Sequence, residues 1–264
     1  MNKSGELRSD LENYKLILYP FVEGLDGYQI ELSDEHLKTF GAALKSIHSL
    51  NLPATLSARL QRETFSARWR RELLNFLEQA DVESFDEPLA EKLAAVLNTR
   101  QDEIFELVRR TEELAQTLKA RAPEFVLCHS DLHAGNILID KNAAFYIVDW
   151  DSPILAPKER DLMFIGGGQG FRGHTAEAEL SLFYGEYGQT QIDMQALAYY
   201  RYERIIEDLA VECEQIFLTD SGSEDRENAY RYFISNFEPG STLDVARQTE
   251  RAAEAQPSYT DRQE

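Results

Sequence analysis

Three polar residues, Asp131, Asn136 and Asp149, stand among apolar runs in the stretch from Val126 to Asp151, V-L-C-H-S-D-L-H-A-G-N-I-L-I-D-K-N-A-A-F-Y-I-V-D-W-D. Their types suit chemistry on an anionic ligand. Carboxylate and amide oxygens are hard donors, which Mg²⁺ takes in octahedral geometry while keeping waters and substrate phosphates as its other ligands. A carboxylate within reach of a hydroxyl can also accept its proton. Asp131 precedes Asn136 by five residues. Alone that spacing says little, because Asp and Asn are common turn residues.

The flanking elements give the spacing its meaning. Ile137 to Ile139 and Phe145 to Val148 are β-branched and aromatic runs on either side of Asp140-Lys141-Asn142-Ala143-Ala144, the pattern of a β-hairpin. If residue 140 pairs with residue 145, antiparallel register sets position 136 opposite position 149. Asn136 then enters the hairpin beside the place where Asp149 leaves it. Phe125 to Cys128 reads as the strand that delivers the chain to Asp131.

H-x-D-x-x-x-x-N followed by a hairpin and an Asp is the pattern of the catalytic loop and metal site of protein kinases. The forms H-S-D-L-H-A-G-N-I-L and I-V-D-W-D, with A-P-K-E-R-D-L-M-F-I-G-G-G from Ala156 to Gly168, resemble the aminoglycoside phosphotransferases. The resemblance runs from Tyr14 to the region of Phe237 and is most specific between Val126 and Gly168. It implies an α+β, protein-kinase-like fold, mainly the helical C-terminal lobe with a catalytic β-hairpin. It further implies transfer of the ATP γ-phosphoryl group to a hydroxyl of a cationic aminoglycoside or aminocyclitol. Under the resemblance, Asp131 is the catalytic base and Asn136 and Asp149 hold Mg²⁺. Tyr19, Phe21 and Val22 lie in the linker that binds adenine. His129 and Asp161 support the loop, Asp161 by accepting backbone hydrogen bonds, and His133 packs or hydrogen-bonds within it. Asp151, Glu207 and Asp208 are candidate substrate contacts, although Glu207 and Asp208 also read as a solvated helix face. Two other readings stay open: a choline- or homoserine-type hydroxyl kinase, and a silent binding protein or gene remnant.

A formal charge of −20 argues against a nucleic-acid partner and favours steering of a cation. No run approaches the roughly 18 apolar residues of a membrane span, and M-N-K-S-G-E-L-R-S-D lacks the apolar core of a signal peptide. The expectation is a cytoplasmic protein. Its two cysteines, Cys128 and Cys213, give no disulfide framework.

Along the chain, Lys15 to Tyr19 reads as a buried strand running into a hinge at 20–24. Ser33 caps a helix with Leu37, Phe40, Leu44 and Ile47 inward, on which His36 and His48 are surface or packing residues. Ser57 to Ala80 reads as a second helix with Arg62, Arg68, Arg70 and Arg71 outward. One or two more helices follow across 86–120. Pro153 and Pro157 mark an irregular segment. Gly168 to Gly173 fits G-x-G-x-x-G, but no strand-turn-helix unit surrounds it, so it reads as a connection near the substrate cleft rather than a dinucleotide loop. Helices are expected over 176–187, 194–218, 223–236 and 243–255. The expected organisation is a remnant of an N-terminal nucleotide-binding lobe at 1–19, the hinge at 20–24, a C-terminal catalytic and substrate-binding lobe at 25–255, and a disordered tail at 256–264. A kinase site also needs a strand lysine and a helix glutamate, and the 14 residues before Lys15 are too few to carry both.

Overall fold

The structure is a computed structural model that describes residues 8–12, 14–17, 20–166, 173–219 and 222–255. The chain opens with a two-stranded antiparallel sheet, β1 (Arg8–Leu11) and β2 (Tyr14–Ile17). Here the expectation of a buried strand is corrected: Tyr14 is 74%, Leu16 49% and Ile17 45% exposed. A two-stranded ribbon has no second layer to cover its apolar face. Leu18 and Tyr19 lie outside the described residues.

After β3 (Gly24–Asp26), Ser33 starts α1 (Asp34–His48) through a capping box, its hydroxyl accepting from the His36 amide while the His36 ring accepts from the Ser33 amide. The next helix begins later than its pattern suggests. A single turn, α2 (Ala54–Ser57), and a short strand, β4 (Gln61–Arg62), precede α3 (Arg68–Val82). The Glu63 carboxylate accepts from the Thr64 and Phe65 amides, and Phe65 takes a left-handed φ of 51°, which a helix cannot contain. Arg70 is also corrected, being buried at 2% exposure rather than outward. Its guanidinium pairs with Glu203 and lies 3.0 Å from Glu112. A buried arginine must be paired, and both partners are remote in sequence.

The helices α4 (Pro88–Thr99) and α5 (Gln101–Arg121) lead to β5 (Val126–Cys128), a 3₁₀ turn at Ala134–Asn136, β6 (Ile137–Asp140), β7 (Phe145–Ile147) and β8 (Ile154–Ala156). The segment expected to be irregular is therefore a strand. Between Pro153 and Pro157, β8 pairs antiparallel with β5 and parallel with β4, giving the order β4-β8-β5. The prolines sit just outside it, where no ladder donor is needed. The second sheet has the order β3-β6-β7.

Five helices follow: α6 (Glu159–Leu162), α7 (Ala176–Tyr187), α8 (Met194–Phe217), α9 (Ser223–Ser235) and α10 (Thr242–Ala255). The axis of the core is α8, whose Ile205, Ile206, Leu209 and Cys213 are buried against α3, α5, α9 and α10. On the other side α1 packs on α7. A Cβ on Gly41 would lie 2.1 Å from the Phe183 carbonyl oxygen, so only glycine permits this approach. Gly41→Ala is expected to lower the unfolding free energy by about 1–3 kcal/mol in urea denaturation. An unchanged midpoint would contradict the packing described. The expected glycine-rich connection falls largely on 167–172, and the expected tail on 256–264; both lie outside the described residues.

Candidate active site

The hairpin comes first because it aims the polar residues. Its observed register pairs Ile137 with Ile147 and Ile139 with Phe145, so position 136 faces 148 rather than 149. The loop is one residue shorter than expected. Asp140 donates its amide to the Ala144 carbonyl, its carboxylate accepts from the Asn142 and Ala144 amides, and Ala143 adopts a φ of 61°. That is a three-residue loop closed by a left-handed residue. Asp149 consequently lies one step past the Asn136 partner, at φ 63°, with its side chain exposed.

Asp161 sits at the base of the loop, fully buried. Its Oδ2 accepts from the His129 amide at 3.0 Å and its Oδ1 from the Ser130 amide at 2.7 Å. Ser130 has a φ of 78° and donates its hydroxyl to the Ser152 carbonyl. Backbone held this way is strained, and the surrounding bonds must hold it. His48 completes the anchor, with Nε2 3.0 Å from Asp161 Oδ2 and Nδ1 2.8 Å from the Tyr187 hydroxyl. Sequence spacing placed His48 as a surface or packing residue; the signal that it bridges α1, α6 and α7 lies only in long-range contacts. His48→Phe would take one of three donors from the buried Asp161 carboxylate and remove the His48 partner of the Tyr187 hydroxyl. It is expected to destabilise the fold by about 3 kcal/mol, measured by urea denaturation; a loss below about 1 kcal/mol, the net worth of an ordinary hydrogen bond, would contradict this role.

Among the described residues, His48, Cys128 and Asp161 form a buried trio close enough to hold a metal ion. Their atoms are already engaged. The Cys128 thiol donates to the Ala156 and Pro157 carbonyls, and burial pushes its pKa up, which keeps it protonated.

His129 ties the loop to the hairpin, its Nε2 meeting the Val148 carbonyl at 2.8 Å and its Nδ1 accepting from the Asp131 amide at 3.3 Å. Asp131 is held on several sides. Arg204 Nη1 donates to Oδ1 at 2.7 Å, His133 Nε2 lies 3.5 Å from Oδ2, and Asn136 Nδ2 donates to the Asp131 carbonyl at 2.7 Å. The His133 tautomer follows from its other nitrogen. Nδ1 accepts from the Gly135 amide at 3.0 Å, so the neutral ring carries its proton on Nε2, toward Asp131. Tyr28 stacks on that ring at 5.7 Å, with its hydroxyl 3.2 Å from Nδ1. A Cβ on Gly135 would come within 2.8 Å of both rings, so glycine is required where they meet.

Burial alone would raise the Asp131 pKa, but the His133 hydrogen bond and the Arg204 charge outweigh it and hold the carboxyl well below its usual range. Asp131 therefore stays ionised at neutral pH. Asn136 is buried, and because its Nδ2 donates to Asp131, its amide oxygen turns the other way. That oxygen and the exposed Asp149 carboxylate, on the two strands at the open end of the hairpin, are hard donors of the kind Mg²⁺ takes.

The other residues expected at the site differ in exposure. Asp151 is exposed, Phe21 is 92% exposed and Val22 half-buried, while Tyr19 falls outside the described residues. Glu207 and Asp208 lie on α8, and burial raises the pKa of each against the pull of Arg204. Arg204 and Glu212, on the same helix, escaped the sequence reading because nothing local marks a charged residue as inward-facing.

Glu212 Oε2 is buried without a hydrogen-bond partner, and burial, with Asp208 nearby, pushes the Glu212 pKa up to about 9. The folded protein thus keeps a proton that the unfolded chain loses near pH 4, so this residue lowers stability as pH rises from about 4 to about 9. Glu212→Gln is expected to raise stability at pH 8 by about 1–3 kcal/mol and to have little effect at pH 4. Equal gains at both pH values would contradict this assignment.

Residues 4–165 match the phosphotransferase enzyme family. A spectinomycin phosphotransferase solved with ADP and spectinomycin is 35% identical, with a TM-score of 0.84 over 94% of this chain and 75% of that one. The same enzyme bound to AMP gives 34% identity and a TM-score of 0.82, over 94% and 77% of the two chains. An aminoglycoside phosphotransferase from Alicyclobacillus acidocaldarius subsp. acidocaldarius is 16% identical with a TM-score of 0.60, over 96% of this chain and 76% of that one, a likeness of fold alone. No curated protein sequence matches this chain. No helix among the described residues is long and apolar enough to cross a membrane.

Proposed function

This chain belongs to the phosphotransferase enzyme family and has a protein-kinase-like fold, and from that premise we propose that it transfers the ATP γ-phosphoryl group to a hydroxyl of spectinomycin or a related aminocyclitol. The observation that carries this reading is the ionised Asp131, fixed by His133 and Arg204 and tied to Asn136. Identity of 35% to an enzyme that binds ADP and spectinomycin supports the choice of acceptor.

Asp131 orients the substrate hydroxyl and takes its proton as the oxygen attacks phosphorus. A base with a depressed pKa is a weak one, so its main contribution is orientation. Phosphoryl transfer tolerates this, because positioning and charge neutralisation dominate its catalysis. Asn136 and Asp149 would hold Mg²⁺, whose charge would offset that of the phosphates. His129 and Asp161 keep the loop in place from beneath. Residues 20–24 serve as the linker, with Tyr19, Phe21 and Val22 against adenine, residues 1–19 belong with the nucleotide-binding lobe, and 25–255 form the catalytic and substrate-binding lobe. Glu207, Asp208 and Asp151 face the cationic substrate, and the acid-rich composition favours its approach.

The test is a substrate panel with Mg·ATP, read by ³¹P NMR of the products. Phosphorylation of spectinomycin but not of choline or homoserine is expected. Phosphorylation of choline or homoserine instead would overturn the acceptor, and no transfer to any acceptor would overturn the enzyme reading.

A further inference from the structure

The contact between α8 and the catalytic loop is made by a cation. Arg204 Nη1 donates to Asp131 Oδ1 at 2.7 Å, and Nε pairs with Asp208 Oδ1 at 2.9 Å. The side chain is 21% exposed, and its guanidinium lies over the Phe164 ring at 5.9 Å. One turn beyond Asp208 on α8 is Glu212, whose Oε2 is buried with no partner. Arg204, Asp208 and Glu212 recur at i, i+4 and i+8 and so form one stripe. A single guanidinium thus serves carboxylates from two elements, near one buried acceptor, Glu212 Oε2, that has no hydrogen-bond partner.

This arrangement has a chemical cost for the proposed reaction. Arg204 occupies a lone pair of Asp131 Oδ1, an oxygen that the substrate hydroxyl needs as its acceptor. Removing it without replacement would leave Asp131 and Asp208, both partly buried, without the cation they share. A substrate that brings its own ammonium group resolves both difficulties.

Resting on the phosphotransferase reading, we propose that Arg204 is a resident counter-ion which a cationic group of the substrate displaces from Asp131, so that Arg204 sets the enzyme's preference for cationic acceptors. A neutral polyol cannot displace a guanidinium from a carboxylate and leaves Asp131 engaged. An ammonium takes over the contact to Asp208, Arg204 swings outward, and the hydroxyl carried by the same molecule reaches the freed oxygen. Arg204 acts here through Asp131 and is a positioning and specificity residue.

The experiment uses Arg204→Ala and Arg204→Gln in the whole protein, with folding checked by circular dichroism and binding by calorimetry in the absence of nucleotide. Methylguanidinium is the first probe. It is expected to bind both variants and not the wild type, because the variants vacate its place. Spectinomycin is the second, expected to bind the variants at least tenfold more tightly than the wild type and to be displaced from them by methylguanidinium. Failure of methylguanidinium to bind either variant overturns the counter-ion role, whatever spectinomycin does. Unchanged or weaker spectinomycin binding with a fall in kcat rescued by methylguanidinium also overturns it, assigning Arg204 to transition-state stabilisation instead. If methylguanidinium binds the variants but spectinomycin binds neither form, the counter-ion site stands and the aminocyclitol reading fails.

Discussion

Asp161→Ala is expected to remove about 3–5 kcal/mol of stability, a large part of what a domain of this size possesses. The carboxylate is fully buried and accepts from the His129 amide, the Ser130 amide and the His48 ring. Truncation leaves all of these donors without a partner in a place that water does not reach. Unsatisfied buried donors are more costly than the lost bonds are valuable. The loss also releases Ser130, which is held at φ 78° only by its surroundings, so Asp131 moves off its alignment. Urea denaturation measures the first effect. The second appears as a fall in kcat under conditions where the variant remains folded. A variant that keeps wild-type stability would show that the loop is braced by something else.

The second large effect is separable from folding. In Asp131→Asn the side-chain shape persists, but the charge that receives the proton is gone. General-base groups contribute about 10²–10⁴-fold to rate, and a fall in kcat of that order is expected. Stability should change by about 1 kcal/mol or less, because a side chain about 40% exposed to solvent gains little from an ion pair. Asp161 and Asp131 thus predict opposite signatures. The first substitution chiefly costs stability, and the second chiefly costs rate in a protein that stays folded.

Much of this arrangement can be read from the sequence, for physical reasons that differ by element. The hairpin at 137–147 is legible because β-branched and aromatic residues flank a turn, and α1 because Ser33 caps a regular apolar spacing. The helices α7 to α10 are legible for similar reasons, with Thr175 and Asp193 marking two of the starts. The hairpin register is not, since it depends on Ala143 taking a left-handed conformation, which alanine does not advertise. The start of α3 fails for the same reason at Phe65. The buried state of Arg70 and the bridging of His48 rest on partners more than a hundred residues away, Glu203 in one case and Asp161 and Tyr187 in the other. Local periodicity assigns charged residues to solvent and cannot see such pairs. At the candidate site, the motif named Asp131, Asn136 and Asp149, whereas Arg204 and Glu212 emerge only when α8 is laid against the loop.

The most direct measurement is transfer of phosphate from Mg·ATP to spectinomycin by the wild-type chain and by Asp131→Asn, at equal concentration and with both proteins shown to be folded. Phosphorylated spectinomycin is expected from the wild type, and a rate lower by about 10²-fold or more from the variant. Equal rates from the two, or no transfer from either, would contradict this expectation.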